Sequence, residues 1–340
     1  MTMNAIYAAP APHAGRLFNS LSPDGGEGWG EGRSRNAARL RIAATALAAL
    51  LSLVPAHAAA ALNIVTTTEG LATLAKEAGG DKVQSQSLSR GIQDPHFVDA
   101  NPALAVKLRA ADLLVDVGLD LEIGWLPPLV NQSRNPEIQP NGPRRFTAAS
   151  VIHVLDVPTG PVDRSLGDLH PAGNPHFMDD PRAAVAVVAG LARKLSQLDP
   201  ANAATYAQHS ADFQRRIEAD LARWKSVFAP LRGRPIVAQH QTMSYFFDWT
   251  GLRAAGYLEP KPGVPPPPSH LANLVQIVKA QGVKAILVEN YYDTRSAEVV
   301  SRHSGAKVVL IPGDVGGMPG ASTYESYLDT LVRLVAGAER

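Results

Sequence analysis

From residue 62 onward, short apolar runs rich in β-branched side chains alternate with longer stretches whose apolar positions recur every three or four residues. The runs at 62–67, 83–88, 113–117 and 151–157 read as strands. Helices are predicted over 70–78, stopped by Gly79-Gly80, and over 101–111 behind an Asn101-Pro102 cap. A short helix over 125–131 is expected to be interrupted by Pro127 and Pro128. Asp180-Pro181 reads as an N-cap and first-turn proline opening the apolar run 183–195. Asp199-Pro200 caps a second helical segment that reaches about residue 228. Its apolar positions Ala204, Ala207, Phe213, Ile217, Leu221 and Trp224 fall on one face, and at 1.5 Å per residue it spans roughly 45 Å. Leu231-Arg-Gly-Arg-Pro235 ends it, and the alternation restarts. Strands follow at 236–239, 285–288 and 308–311, with helices from His240 to Thr250-Gly251 and over 269–281, 294–303 and 324–338. Strands separated by helices of this length predict parallel sheets with helices on both faces. The expected fold is therefore α/β, with two lobes, 61–198 and 231–340, joined by one long rigid helix over 199–230.

Composition narrows the picture. The chain has 340 residues, 45% hydrophobic and 19% charged, with a net charge of +1. That balance suits a globular protein and gives no electrostatic case for nucleic acid or a membrane surface as partner. Residues 1–60 stand apart. Arg39 and Arg41 precede an apolar run over 42–54, and Ala56-His-Ala58 supplies the small residues of a cleavage site, the pattern of a secretory signal peptide. Residues 1–35, with the low-complexity run Asp24-Gly-Gly-Glu-Gly-Trp-Gly-Glu-Gly-Arg33, do not fit a signal sequence, and a downstream start is expected. Cysteine is absent throughout, which excludes disulfides, thiolate metal sites and a lipid-bearing cysteine after the signal. The expectation is a soluble periplasmic protein without a lipid anchor, in which any metal site is built from imidazole and carboxylate.

The loop Ser165-Leu-Gly-Asp-Leu-His-Pro-Ala-Gly-Asn-Pro-His-Phe-Met-Asp-Asp-Pro181 carries two histidines, three aspartates, two glycines and three prolines. Neither a strand nor a helix interior is written that way. Four donors occupy equivalent places along the chain: His96, His176, His240 and Asp314 each lie just after a predicted strand or in the loop it feeds. They are 80, 64 and 74 residues apart, two per lobe. Ligands of open α/β sheets bind beyond the carboxyl ends of the strands, so facing lobes would bring all four to one cleft. Three imidazoles and a carboxylate make a shell suited to zinc.

Several segments carry a resemblance: Asp94-Pro-His96, Gly173-Asn-Pro-His176 with Asp180-Pro181, and Ala238-Gln-His240 with Tyr245-Phe246. Leu258-Glu-Pro-Lys-Pro-Gly-Val264 with Pro268-Ser-His-Leu271, and Ile286-Leu-Val-Glu289, extend it. Over about residues 62–338 the chain resembles the metal-specific (cluster A-I) periplasmic solute-binding proteins of zinc and manganese ABC importers. The resemblance implies a helical-backbone metal receptor with a rigid linking helix, and a monomer that delivers its ion to an inner-membrane permease. It places the family's ligands on His96, His176 and His240. The fourth, usually a carboxylate, falls at Asp314, where the glycines of Ile311-Pro-Gly-Asp-Val-Gly-Gly317 depart from the family's usual text; Glu289 and a water compete for the role. Manganese-binding members tend to carry a carboxylate where His240 stands, so a third imidazole favours Zn2+ as the transported ligand, with Mn2+ the alternative. The long His- and acid-rich loop of many zinc-binding relatives is absent.

Other histidines read more plainly. His170 lines the cleft or supports a ligand from behind, His153 is structural, His209 and His303 are solvated, and His270 anchors a helix start. A secreted zinc hydrolase is the competing class. It would need an open water position and a general base, and no His-Glu-x-x-His signature is present, so a non-enzymatic role is expected.

Overall fold

The computed structural model describes residues 60–160, 167 and 170–340. The extension and signal peptide expected over 1–60 lie outside the described residues except for Ala60, as do Ser165, Leu166, Asp168 and Leu169 of the polar loop.

The first sheet is built from β1 (Leu62–Thr66), β2 (Val83–Ser87), β3 (Leu113–Asp116) and β4 (Arg145–Thr147), in the order β2-β1-β3-β4. The second uses β5 (Pro235–Ala238), β6 (Arg253–Tyr257), β7 (Ala285–Glu289) and β8 (Lys307–Ile311), in the order β6-β5-β7-β8. All the pairings are parallel. Val65 lies between Gln86 and Leu114 in one sheet, and Val237 between Gly256 and Ile286 in the other. The central strands β3, β5 and β7 are wholly buried, as their continuous apolar runs require when helices cover both faces.

The helices are α1 (Glu69–Gly79), α2 (Pro102–Arg109), α3 (Leu126–Ser133), α4 (Pro181–Leu198), α5 (Ala203–Phe228), α6 (Ser244–Thr250), α7 (Pro268–Gln281), α8 (Arg295–Ser304) and α9 (Tyr324–Glu339). The expected caps form. Asn101 Oδ1 accepts the Ala103 N–H at 3.1 Å, and Asp180 Oδ1 accepts that of Arg182 at 2.8 Å. Pro127 and Pro128 do not interrupt α3. They sit in its first turn, where the missing amide hydrogens have no partner to lose.

Two strands differ from the sequence reading. The fourth strand is β4, not 151–157. Arg145 and Thr147 both hold Asp116 of neighbouring β3, with Arg145 Nε at 3.0 Å and Thr147 Oγ1 at 3.1 Å from Asp116 Oδ1. The β-branched run after it becomes extended loop, whose backbone binds side chains instead of a ladder. Strand β6 was not foreseen. It is a half-exposed edge strand, and Arg-Ala-Ala-Gly-Tyr lacks the β-branched residues that mark an interior one.

Helix α5 has 26 residues and spans roughly 39 Å, with 3-10 turns at Pro200–Asn202 and Ala229–Leu231 continuing it at either end. Its buried face is Tyr206, Phe213, Ile217, Trp224 and Phe228; Ala204 and Ala207 are exposed, and Tyr206 begins the stripe in their place. Arg216 on this helix pairs with Glu77 of α1 at 2.5 Å and with Glu325 of α9 at 3.1 Å. One continuous apolar cluster contains Ile64 and Leu113 of the first sheet, the α5 face, and Ile236 and Leu287 of the second. The two lobes thus share a core along α5.

Candidate metal centre

Each donor is positioned by local chemistry. His96 lies in the loop after β2. The Asp94 carboxylate accepts its backbone N–H at 2.9 Å and its Nδ1–H at 2.8 Å, and Trp125 Nε1 ties the loop down through the Pro95 carbonyl at 2.9 Å. A carboxylate only accepts, so Nδ1 carries the proton and the Nε2 lone pair is free. Burial would raise the Asp94 carboxyl, but the side-chain and backbone hydrogen bonds from His96 hold it below the usual range.

His240 lies two residues beyond β5 and is 3% exposed. Its Nδ1 donates to Glu259 Oε2 at 2.8 Å, which again frees Nε2. Glu259, just past β6, also accepts the Gly263 N–H at 2.8 Å and the Gln239 amide at 3.2 Å.

His176 ends Gly173-Asn-Pro-His, and Asn174 is the keystone. Its Oδ1 accepts the His176 N–H at 2.9 Å. Its Nδ2 donates to Asp156 at 2.9 Å and to the Gln241 carbonyl at 2.7 Å, beside His240. Tyr245 donates to the Asn174 carbonyl at 2.8 Å. Gly173 has φ +111°, and a side chain there would strike Val154. His176 Nε2 is buried without a partner. Burial, then the neighbouring imidazoles, push this ring well below the ordinary histidine value, so it stays neutral.

These three rings converge as expected. Centroids lie 5.0 Å apart for His96–His176, 5.6 Å for His96–His240 and 5.4 Å for His176–His240. His170 joins them. It is 5.4 Å from His96 and 6.0 Å from His176 by ring centroid, and its Nε2 is 3.3 Å from His96 Nε2. Among the described residues, His96, His170 and His176 form a set whose donor atoms all lie within 4.8 Å of one another. Burial, then the repulsion a second protonated ring would meet from His96 and His240, lower His170 to about 4. The sequence carried its signal as an extra histidine six residues before His176 in the same loop.

Asp314 lines the same cavity as His176. Its Oδ2 accepts the Gly70 N–H at the start of α1 at 3.1 Å, and its Oδ1 accepts the Val315 N–H at 2.8 Å. A Cβ on Gly70 would come within 2.5 Å of Asp314 Oδ1, so the contact requires glycine. Burial pushes Asp314 up to about 6. Glu289, at the end of β7, accepts from the Thr242 hydroxyl with Oε1, while Oε2 is buried without a partner. Asp179, not singled out from the sequence, has both carboxyl oxygens buried and unpartnered. Asp179, Glu289 and Asp314 line a cavity of about 50 Å³ behind His176, together with Tyr291 and Tyr327.

Imidazoles gathered from the ends of two parallel sheets, two of them braced by carboxylates, can hold a divalent transition metal. The family model for the zinc-uptake complex component A, periplasmic, matches residues 64–337, and the chain belongs to that family. The high-affinity zinc uptake system protein ZnuA of Paracoccus denitrificans is 25% identical over 328 residues, covering 85% of this chain and 95% of its own. The manganese ABC transporter substrate-binding lipoprotein PsaA of Streptococcus pneumoniae is 25% identical over 290 residues, covering 82% and 89%. A crystal structure of ZnuA shares the fold, with a TM-score of 0.70 at 22% identity over 82% of this chain and 100% of that one. This protein is thus a metal-binding, substrate-binding component of an ABC importer, acting outside the cytoplasm, in a family of binding proteins that are not enzymes. Among the described residues no helix is long and apolar enough to cross a membrane. The lipoprotein names of relatives stand against the anchor-free expectation.

Proposed function

We propose that this protein captures Zn2+ in the periplasm on His96, His176 and His240 and delivers it to the importer's permease. The observation that supports this reading is the set of three rings, drawn from both sheets, with centroids 5.0 to 5.6 Å apart. Rings sharing one tetrahedral ion through Nε2 have centroids about 5 Å apart. A fourth donor completes the tetrahedron, either the Asp314 carboxylate expected from the sequence or a further nitrogen. Nitrogen-rich shells favour Zn2+, whereas Mn2+ prefers carboxylate, carbonyl and water oxygens. A relative named for manganese keeps Mn2+ as the competing cargo.

All the donors come from one chain, so a monomer suffices. The lobes, 61–198 and 231–340, meet along the helix 199–230, and docking on the permease is read as loosening one side's ligands. Competition titration of the full chain against a chromophoric chelator tests the cargo. One Zn2+ per chain, bound about 100-fold tighter than Mn2+, is expected from the affinity order of nitrogen sites. Equal or tighter Mn2+ binding overturns the zinc assignment, and binding of neither ion overturns capture.

A further inference from the structure

We propose that His170 supplies the fourth ligand, so that the ion is held by four imidazoles and no carboxylate. This rests on the metal-capture reading above and specifies its shell. The sequence His170-Pro-Ala-Gly-Asn-Pro-His176 folds as a hook. Gly173 N–H closes a turn onto the His170 carbonyl at 3.2 Å, and Gly173 takes a backbone conformation with φ +111°. The turn brings the two histidines of one loop to a ring separation of 6.0 Å.

The spacing of His170 and His96 fits a shared ion. His170 Nε2 and His96 Nε2 are 3.3 Å apart. Two nitrogens on one tetrahedral zinc, each bonded at 2.0–2.1 Å, sit about 3.3–3.4 Å apart. His170 also hydrogen-bonds the backbone of Leu119, a residue with φ +54° in the loop after β3. Metal-bound histidines are commonly oriented by such a bond to a carbonyl or carboxylate, as His96 and His240 are by Asp94 and Glu259. The buried His176 Nε2 has no other group to meet. Asp314, by contrast, already has one backbone N–H on each carboxyl oxygen.

X-ray absorption at the zinc edge, on the full chain loaded with one Zn2+, counts the imidazoles. Four are expected for the wild type and for Asp314→Asn, and three for His170→Ala. Zinc affinity should fall in His170→Ala by at least the 10–100-fold (roughly) that accompanies loss of a supporting residue, and Asp314→Asn should bind as the wild type does. His170→Asp keeps a ligand but makes it an oxygen, and should move the Zn2+/Mn2+ preference toward Mn2+. Melting of the metal-free variants separates a lost ligand from a lost fold. Three imidazoles in both wild type and His170→Ala would reduce the 3.3 Å contact to a His–His hydrogen bond. That result, or loss of a ligand in Asp314→Asn instead, overturns the assignment while leaving capture standing. Failure of the wild type to bind Zn2+, or wild-type binding by His176→Ala, removes capture itself.

Discussion

The two sheets have the same strand order, second-first-third-fourth, yet they equip the cleft differently. The first sheet's side presents His96 from the loop after β2, and His170 and His176 from the segment that leads into α4. The second presents His240 two residues beyond a wholly buried strand. His240 is 3% exposed, whereas Phe97 beside His96 is 67% exposed. Topology fixes where donors can gather, and loop length and composition fix how many arrive. A donor at a strand end inherits the rigidity of the sheet, while a donor on a loop needs its own braces. That is why the first side spends Asp94, Asn174 and the Leu119 backbone on holding its rings, and the second needs little beyond Glu259.

The sharpest way to break this comparison is His240→Ala. It removes the only histidine that the second sheet contributes among the gathered rings. Zinc affinity, read by chelator competition, should fall by more than the roughly 10–100-fold typical of outer-shell changes. A loss no larger than that of the remote control His153→Ala would mean that the second side does not hold the ion. A smaller effect is expected from the braces. Glu259→Gln and Asp94→Asn each keep an acceptor for Nδ1–H but lose its charge, and should cost about 10–100-fold. The Glu259 side chain is 8% exposed and that of Asp94 is 17%, so the Glu259 change should be the costlier of the two. The opposite order would show that the loop side, not the strand side, sets the affinity.

Much of this was legible in the sequence. Strand-helix alternation gave the two α/β lobes, and caps such as Asn101-Pro102 and Asp180-Pro181 gave helix starts, because both are local signals. The histidines after strands gave three of the gathered rings. What the sequence did not show were non-local effects. Strand β4 is chosen by the Asp116 contacts of Arg145 and Thr147, and β6 by an open sheet edge beside β5. The place of His170 depends on a turn that folds the loop back on itself. The backbone bonds of Asp314 depend on a glycine 244 residues away. Neither periodicity nor motif spacing carries that information.

The smallest effect concerns the cavity behind the rings, where each side contributes a buried carboxyl with unpartnered oxygen: Asp179 after His176, and Glu289 at the end of β7. Burial raises Glu289 from 4.5 to about 7, the Thr242 hydrogen bond offsetting only part of the penalty. A carboxyl that is harder to ionise folded than unfolded keeps its proton longer in the native chain. Folding therefore takes up protons between pH 4.5 and about 7, and stability falls as pH rises through that window. Above it the cost is at most about 3 kcal/mol, at roughly 1.4 kcal/mol per pH unit. Glu289→Gln is neutral at every pH and can still accept from Thr242. In urea unfolding of the metal-free protein it should match the wild type near pH 4.5 and exceed it by about 1–3 kcal/mol at pH 8. An equal gap at both pH values would show that Glu289 is ionised in the fold already. The second side would then hold a paired charge in that cavity, and only Asp179 would be left as an uncompensated acid.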